Sequence, residues 1–124
     1  MNRGGELMKY QIKVEKMERN EIADLLTTAL YGSYIWKVDN TTKEYNEAQG
    51  NTIEDKLADV LLKGQQVILI DTEEDETFSL NLYQLYRGLE LYVKNGGHIA
   101  IEEYDFNDAD AVLQYAIFGK IVFC

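Results

Sequence analysis

Two stretches concentrate carboxylates at spacings that could do chemistry. The first is DTEEDE, residues 71–76, which places Asp71, Glu73 and Asp75 at positions 1, 3 and 5 of a calcium-binding loop. The pattern then breaks. Position 6 needs a glycine for the sharp turn and is Glu76; position 12 needs a bidentate glutamate and is Leu82. The second stretch is EEYDFNDAD, residues 102–110. Counted from Asp105 it breaks in the same way, with Asp110 at position 6 and Ala116 at position 12. Neither is a calcium hand, so what remains is the charge itself. Carboxylates spaced several ångströms apart present an anionic array comparable to a DNA strand, and such an array can occupy a groove built for phosphates. On that reading the candidate partner-contacting acids are Asp71, Glu73, Glu74, Asp75, Glu76, Glu102, Glu103, Asp105, Asp108 and Asp110. They form one surface only if the fold brings the two stretches together.

A third stretch, YGSYIW, gathers Tyr31, Tyr34 and Trp36. Tyr and Trp anchor protein interfaces because they bury a large ring while keeping a polar tip. The alternation of Tyr34, Trp36 and Val38 equally fits the core face of a strand, so both readings stand at this level.

Catalytic chemistry has little to work with. His98 follows a glycine pair and has no serine or cysteine motif beside it. NGGHI lacks the lysine and spacing of a phosphate-binding loop. The chain has one cysteine, Cys124, and one histidine, which is too few ligands for a structural zinc site within a single chain and allows no internal disulfide. The sequence therefore points to a protein with no enzymatic activity, no cofactor and no metal.

Charge narrows the partner. The formal net charge is −10, and residues 1–50 carry 8 acids and 7 bases, against 14 acids and 5 bases in residues 51–124. The second half repels free nucleic acid and favours a basic protein, such as a nuclease with a cationic channel. No apolar run is long enough for a membrane span or for the core of a secretory signal, so a cytoplasmic location, without membrane contact, is expected.

The elements that must position these groups follow from periodicity. Tyr10, Ile12 and Val14 alternate as a strand, and Tyr34, Trp36 and Val38 as another. Asn20 is placed to cap a helix whose face is Ile22, Leu25, Leu26, Ala29 and Leu30. DNTTKEYNEAQGN reads as a loop. Thr52 and Asp55 approximate a capping box before the stripe Ile53, Leu57, Val60 and Leu61, which Gly64 stops. Val67–Ile70, a turn at EEDE, and Phe78 with Leu80 read as a hairpin around a central strand. Leu82, Leu85, Tyr86, Leu89, Tyr92 and Val93 line a further helix, in which Gly88 costs about 1 kcal/mol unless close packing offsets it. Residues 98–104 read as a strand or an extended connection. Asn107 is placed to cap a last helix with Ala109, Val112, Leu113, Ala116 and Ile117 inward, and residues 120–123 have strand composition. The prediction is one α+β domain over residues 1–124, with residues 1–7 a loose extension if Met8 is the start. Its small mixed sheet has about four to six strands packed with three to four helices.

Three segments resemble a family of small acidic proteins carried by phages and integrative elements of Firmicutes: ALYGSYIW at residues 29–36, ADVLLKG at 58–64 and DADAVLQYAIFG at 108–119. The likeness covers most of the chain from about residue 25, with Cys124 where that family's pattern has glycine. It implies a mobile-element context and transfers no catalytic or binding residue. Small acidic accessory proteins of that kind bind and block host defence proteins. The expected function is therefore an inhibitor of anti-CRISPR or anti-restriction type, with a DNA-mimicking surface. Two alternatives remain open. One is a nucleotide or small-molecule sponge, whose anionic ligand would need Lys56, Lys63, Arg87 or Lys94. The other is an oligomeric assembly accessory protein.

Overall fold

The computed structural model describes residues 16–31 and 35–122. The expected strand at Tyr10–Val14, Tyr34 and the strand-like end at residue 123 lie outside the described residues, wholly or in part.

Helix α1, Arg19–Leu30, begins one residue before Asn20, which therefore lies inside the helix and is not its cap. Glu18 is its N-cap, because Glu21 sits at the third helical position and accepts the Glu18 N–H at 2.8 Å. Its buried face is the predicted one, Ile22, Leu25, Leu26 and Ala29, with Ala23 added. Strand β1 is Trp36–Val38, and the loop after it contains a one-turn helix, α2, Lys43–Asn46. Helix α3, Ile53–Leu62, starts where Thr52 Oγ1 accepts the Asp55 N–H. Strands β2, Val67–Asp71, and β3, Thr77–Leu80, form the predicted hairpin. Helix α4, Leu82–Lys94, and helix α5, Phe106–Phe118, follow, with a 3₁₀ turn at Ile101–Glu103 between them.

The sheet is antiparallel with β2 in the centre, in the order β1-β2-β3. Its register pairs Trp36 with Asp71, Leu69 with Val38 and Phe78, and Val67 with Leu80. These residues share one face because side chains alternate along a strand. Phe118 of α5 closes that face, 5.3 Å from Phe78 and 5.9 Å from Trp36 between ring centroids. In the helical layer, α1 lies between α3 and α5, and α5 packs on α4. Leu26, Leu57, Leu61, Leu69, Leu80, Leu85, Leu89 and Leu113 are fully buried where these layers meet. Each contributes about 1.5–3 kcal/mol on burial.

Gly88 explains the closeness of α4 to α5. A Cβ there would lie 2.5 Å from the Val112 carbonyl oxygen and 2.8 Å from the Ala116 Cβ. The glycine that weakens the helix locally is what lets its partner approach.

The α+β class stands, with corrections to the number of elements, the tail and the helix caps. Among the described residues the sheet has three strands and the helices number five. Residues 98–104 take the second of the two expected forms, an extended connection that leads from the end of α4 into the 3₁₀ turn. Residues 120–122 pair with no described strand; the Val122 N–H is instead accepted at 2.8 Å by the buried Gln114 side chain of α5. The α5 cap is Asp105 rather than Asn107.

Candidate functional site

Helices α4 and α5 run antiparallel, and the connection between them gathers the most polar chemistry in the molecule. Gly97 turns the chain against the Tyr92 ring; a Cβ at Gly97 would lie 2.4 Å from that ring. So placed, Tyr92 donates its hydroxyl to Asp108 Oδ1. His98 Nε2 lies 3.1 Å from Asp108 Oδ2, and the Asp105 N–H reaches the same oxygen at 3.0 Å. Asp105 Oδ1 accepts the Asp108 N–H at 2.9 Å, so the two aspartates cap α5 reciprocally. Tyr104 stands edge-on to both Tyr92 and His98 and donates its hydroxyl to the His98 carbonyl at 2.7 Å.

The protonation states follow from these contacts. Burial alone would raise the Asp108 carboxyl, but the hydrogen bonds from Tyr92, the Asp105 N–H and His98 outweigh it and hold the group below the ordinary carboxylate range. Burial, then the bond to Asp108, pushes the Tyr92 phenol well above its usual value. Burial, then the Asp108 charge, pushes Tyr104 up to about 12. An imidazole oriented by a carboxylate is half of a proton-transfer pair. Among the described residues the side-chain contact of His98 is to Asp108, and this contact, with those of Tyr92 and Asp105, ties α4, the connection and α5 together.

Around this network the surface is mixed. Ile99 is 54% exposed and Phe106 40%. Glu102, Glu103 and Asp105, in the same connection, are exposed, without an ion-pair partner among the described residues. Exposed apolar and charged residues in one connection are the composition of a protein-contact patch.

The other acidic stretch lies elsewhere. Asp71 is buried on the inner sheet face, where its carboxylate accepts the Glu73 N–H at 2.8 Å and the Glu74 N–H at 3.3 Å. It shapes the hairpin turn and is not a surface contact, which corrects its place among the partner-contacting acids. Glu73, Glu74, Asp75 and Glu76 are exposed and without ion pairs among the described residues. Phe78, two residues from this tip, packs on Phe118 at the C-terminal end of α5. The second stretch surrounds the N-terminal end, about 18 Å of helix axis away. The two stretches therefore stand at opposite ends of α5 and do not merge. Asp110 also points inward: one oxygen accepts from Gln114 at 2.7 Å, and the other is enclosed without a hydrogen-bond partner among the described residues.

Of the aromatic candidates, Tyr31 is 81% exposed. Trp36 is in the core, 3% exposed, because its position opposite Asp71 puts its ring on the inner sheet face. That corrects its assignment as a surface anchor. The four candidate cations are not gathered. Lys63 is paired to Asp59, Lys56 lies over the Tyr45 ring, and Arg87 and Lys94 are exposed on α4.

Asp59 was not legible as a special residue. It is 4% exposed and accepts from Arg19 at 3.0 Å, Lys63 at 2.8 Å and the Gln49 N–H at 2.9 Å. Hydrogen bonds from Lys63, Gln49 and Arg19, in that order, hold it far below the ordinary carboxylate range against the opposing effect of burial. The available signal was a charged residue inside an apolar helical stripe with a lysine four residues on.

Among the described residues no group of three or more His, Cys, Asp or Glu side chains is arranged to hold a metal, and no helix is long and apolar enough to cross a membrane. No family model, no curated protein and no solved structure matches the chain.

Proposed function

We propose that this chain is a non-enzymatic binding protein that docks on a basic macromolecule through the α4–α5 connection. One observation carries the reading. The exposed apolar residues Ile99 and Phe106 share a short connection with the carboxylates of Glu102, Glu103 and Asp105, which have no ion-pair partner among the described residues, and a hydrogen-bonded network holds that connection in one shape. The charge selects and steers a cationic partner, while the apolar residues supply contact area that salt does not screen. The resemblance to mobile-element proteins supports, by analogy, one class of partner: a host defence nuclease of CRISPR or restriction type, inhibited by occupation of its nucleic-acid channel. The hairpin tip is a second, separate anionic point, so mimicry of DNA would engage one end of the molecule at a time.

The test is capture from a Firmicute host lysate by the tagged chain, at salt concentrations of about 0.05 M and 0.5 M, where the screening length falls from roughly 14 Å to 4 Å. Salt-sensitive capture of a nuclease, lost in Glu102→Lys/Glu103→Lys and kept in Glu73→Lys/Glu74→Lys, is expected. Capture unaffected by the first pair overturns the proposal.

A further inference from the structure

A second recessed surface lies far from the acidic connection in character. Helix α1, strand β1 and the start of α3 border an open groove of about 320 Å³. Tyr31, Tyr45 and Ile53 form its aromatic and apolar walls, Trp36 contributes from the core, and Lys37 and Glu54 are its charged groups. The volume is at the lower end of the range for small-molecule sites, and the lining follows their usual make-up of apolar and aromatic surface with a few polar groups. Two features mark it out. Tyr31 and Ile53, two of the largest exposed apolar side chains in the molecule at 81% and 53%, line this one groove. The Lys56 ammonium lies 5.1 Å from the centre of the Tyr45 ring, which braces that ring and adds positive charge beside the groove. Lys37 and Lys56 thus supply local cations in a chain of net charge −10.

We propose that this groove binds a mononucleotide, with the base against Tyr31 and Tyr45, the ribose hydroxyls on Glu54 and the phosphate at Lys37. Each assignment follows from chemistry. A tyrosine ring stacks on any base. A carboxylate accepts the hydroxyl protons of a ribose. A lysine ammonium provides charge and donors for a phosphate. The site is independent of the α4–α5 connection, so either can fail without the other.

The single tryptophan lines the groove, which makes its fluorescence the natural readout. The chain is titrated with AMP to about 1 mM, with adenosine and inorganic phosphate as half-ligand probes. A saturable change with AMP, weakened about tenfold in Tyr31→Ala, supports the proposal. In Lys37→Gln the affinity for AMP should fall roughly threefold while that for adenosine stays unchanged. Tyr31 and Lys37 are both exposed, so neither change threatens the fold. No saturable response to AMP overturns the proposal, as does a response indifferent to Tyr31→Ala. Adenosine or phosphate alone binding as tightly as AMP overturns the nucleotide assignment.

Discussion

Asp59 is buried and Asp108 half-buried, and each accepts three hydrogen bonds, yet their donors differ in kind. Asp59 is met by Arg19, Lys63 and one backbone N–H. Asp108 is met by a phenol, an imidazole and one backbone N–H. Around Asp59 the carboxylate is neutralised on the spot by two cations, and the contact ties α1, α3 and the loop before α3 together. Around Asp108 geometry is fixed while the neighbouring Glu102, Glu103 and Asp105 form no ion pair with any described residue. One end of the molecule uses charge to hold itself; the other holds itself mainly by dipoles and leaves charge available to a partner.

The sharpest way to break this comparison is at Asp59. Replacing it by Ala strands two cations and an N–H that converge on one point. Because Arg19 and Lys63 are 51% and 44% exposed, they recover some hydration. The cost should be about 3 kcal/mol, near the lower limit for breaking a buried pair, or a fall in Tm of roughly 12 °C by calorimetry. The pH dependence has a definite sign. The folded-state pKa is depressed, so the stabilisation is present above the unfolded value of about 3.9 and is lost as pH falls through the folded one. Wild-type Tm should therefore drop more steeply than that of Asp59→Asn below pH 4.

Next in size is Gly88→Ala, which attacks the packing that brings α4 and α5 together. Its Cβ would meet backbone at 2.5 Å, so the helices must move apart. We expect a loss of about 2 kcal/mol in denaturant unfolding, although alanine is the better helix former. A stabilised variant would show that the helices were never forced close.

This glycine also shows how far the sequence could be read. A glycine inside an apolar helical stripe signals close approach, and the helix faces, the hairpin and the Thr52 cap were likewise legible from period and turn chemistry. The three-dimensional use of acids was not. DTEEDE and EEYDFNDAD look equivalent in sequence, yet Asp71 turns inward to build a hairpin, Asp108 receives Tyr92 from 16 residues away, and the exposed remainder falls at two ends of α5. Only α5 itself, lying between them, sets that separation. The tail at residues 120–122 had strand composition but found a side-chain acceptor, Gln114, before it found a sheet edge.

The Asp108 end should give smaller and more local effects. Asp108→Asn keeps the shape and loses the charge that Tyr92 and His98 point at, costing about 1.5 kcal/mol. Amide exchange in residues 98–104 should accelerate more than in α1, which hydrogen-exchange mass spectrometry resolves. Alkali probes the same network. Tyr92 and Tyr104 have raised folded-state values, so their contribution is full below the unfolded value of about 10 and is lost as pH rises toward 12. Tyr92→Phe should show a shallower loss of Tm between pH 10 and 12 than wild type; an equal slope would detach Tyr92 from the network.

The smallest effect carries the most information about uncompensated charge. Glu102 and Glu103 are exposed, face no described cation, and sit beside Asp105 and Asp108. Removing their charge in Glu102→Gln/Glu103→Gln relieves repulsion and breaks no described bond. Stability should rise by no more than about 0.5 kcal/mol at low salt, and the gain should vanish near 0.5 M salt as screening sets in. A loss of stability instead would mean that these carboxylates are already answered within the fold. The α4–α5 end would then resemble Asp59, and it would have no charge left to offer a partner.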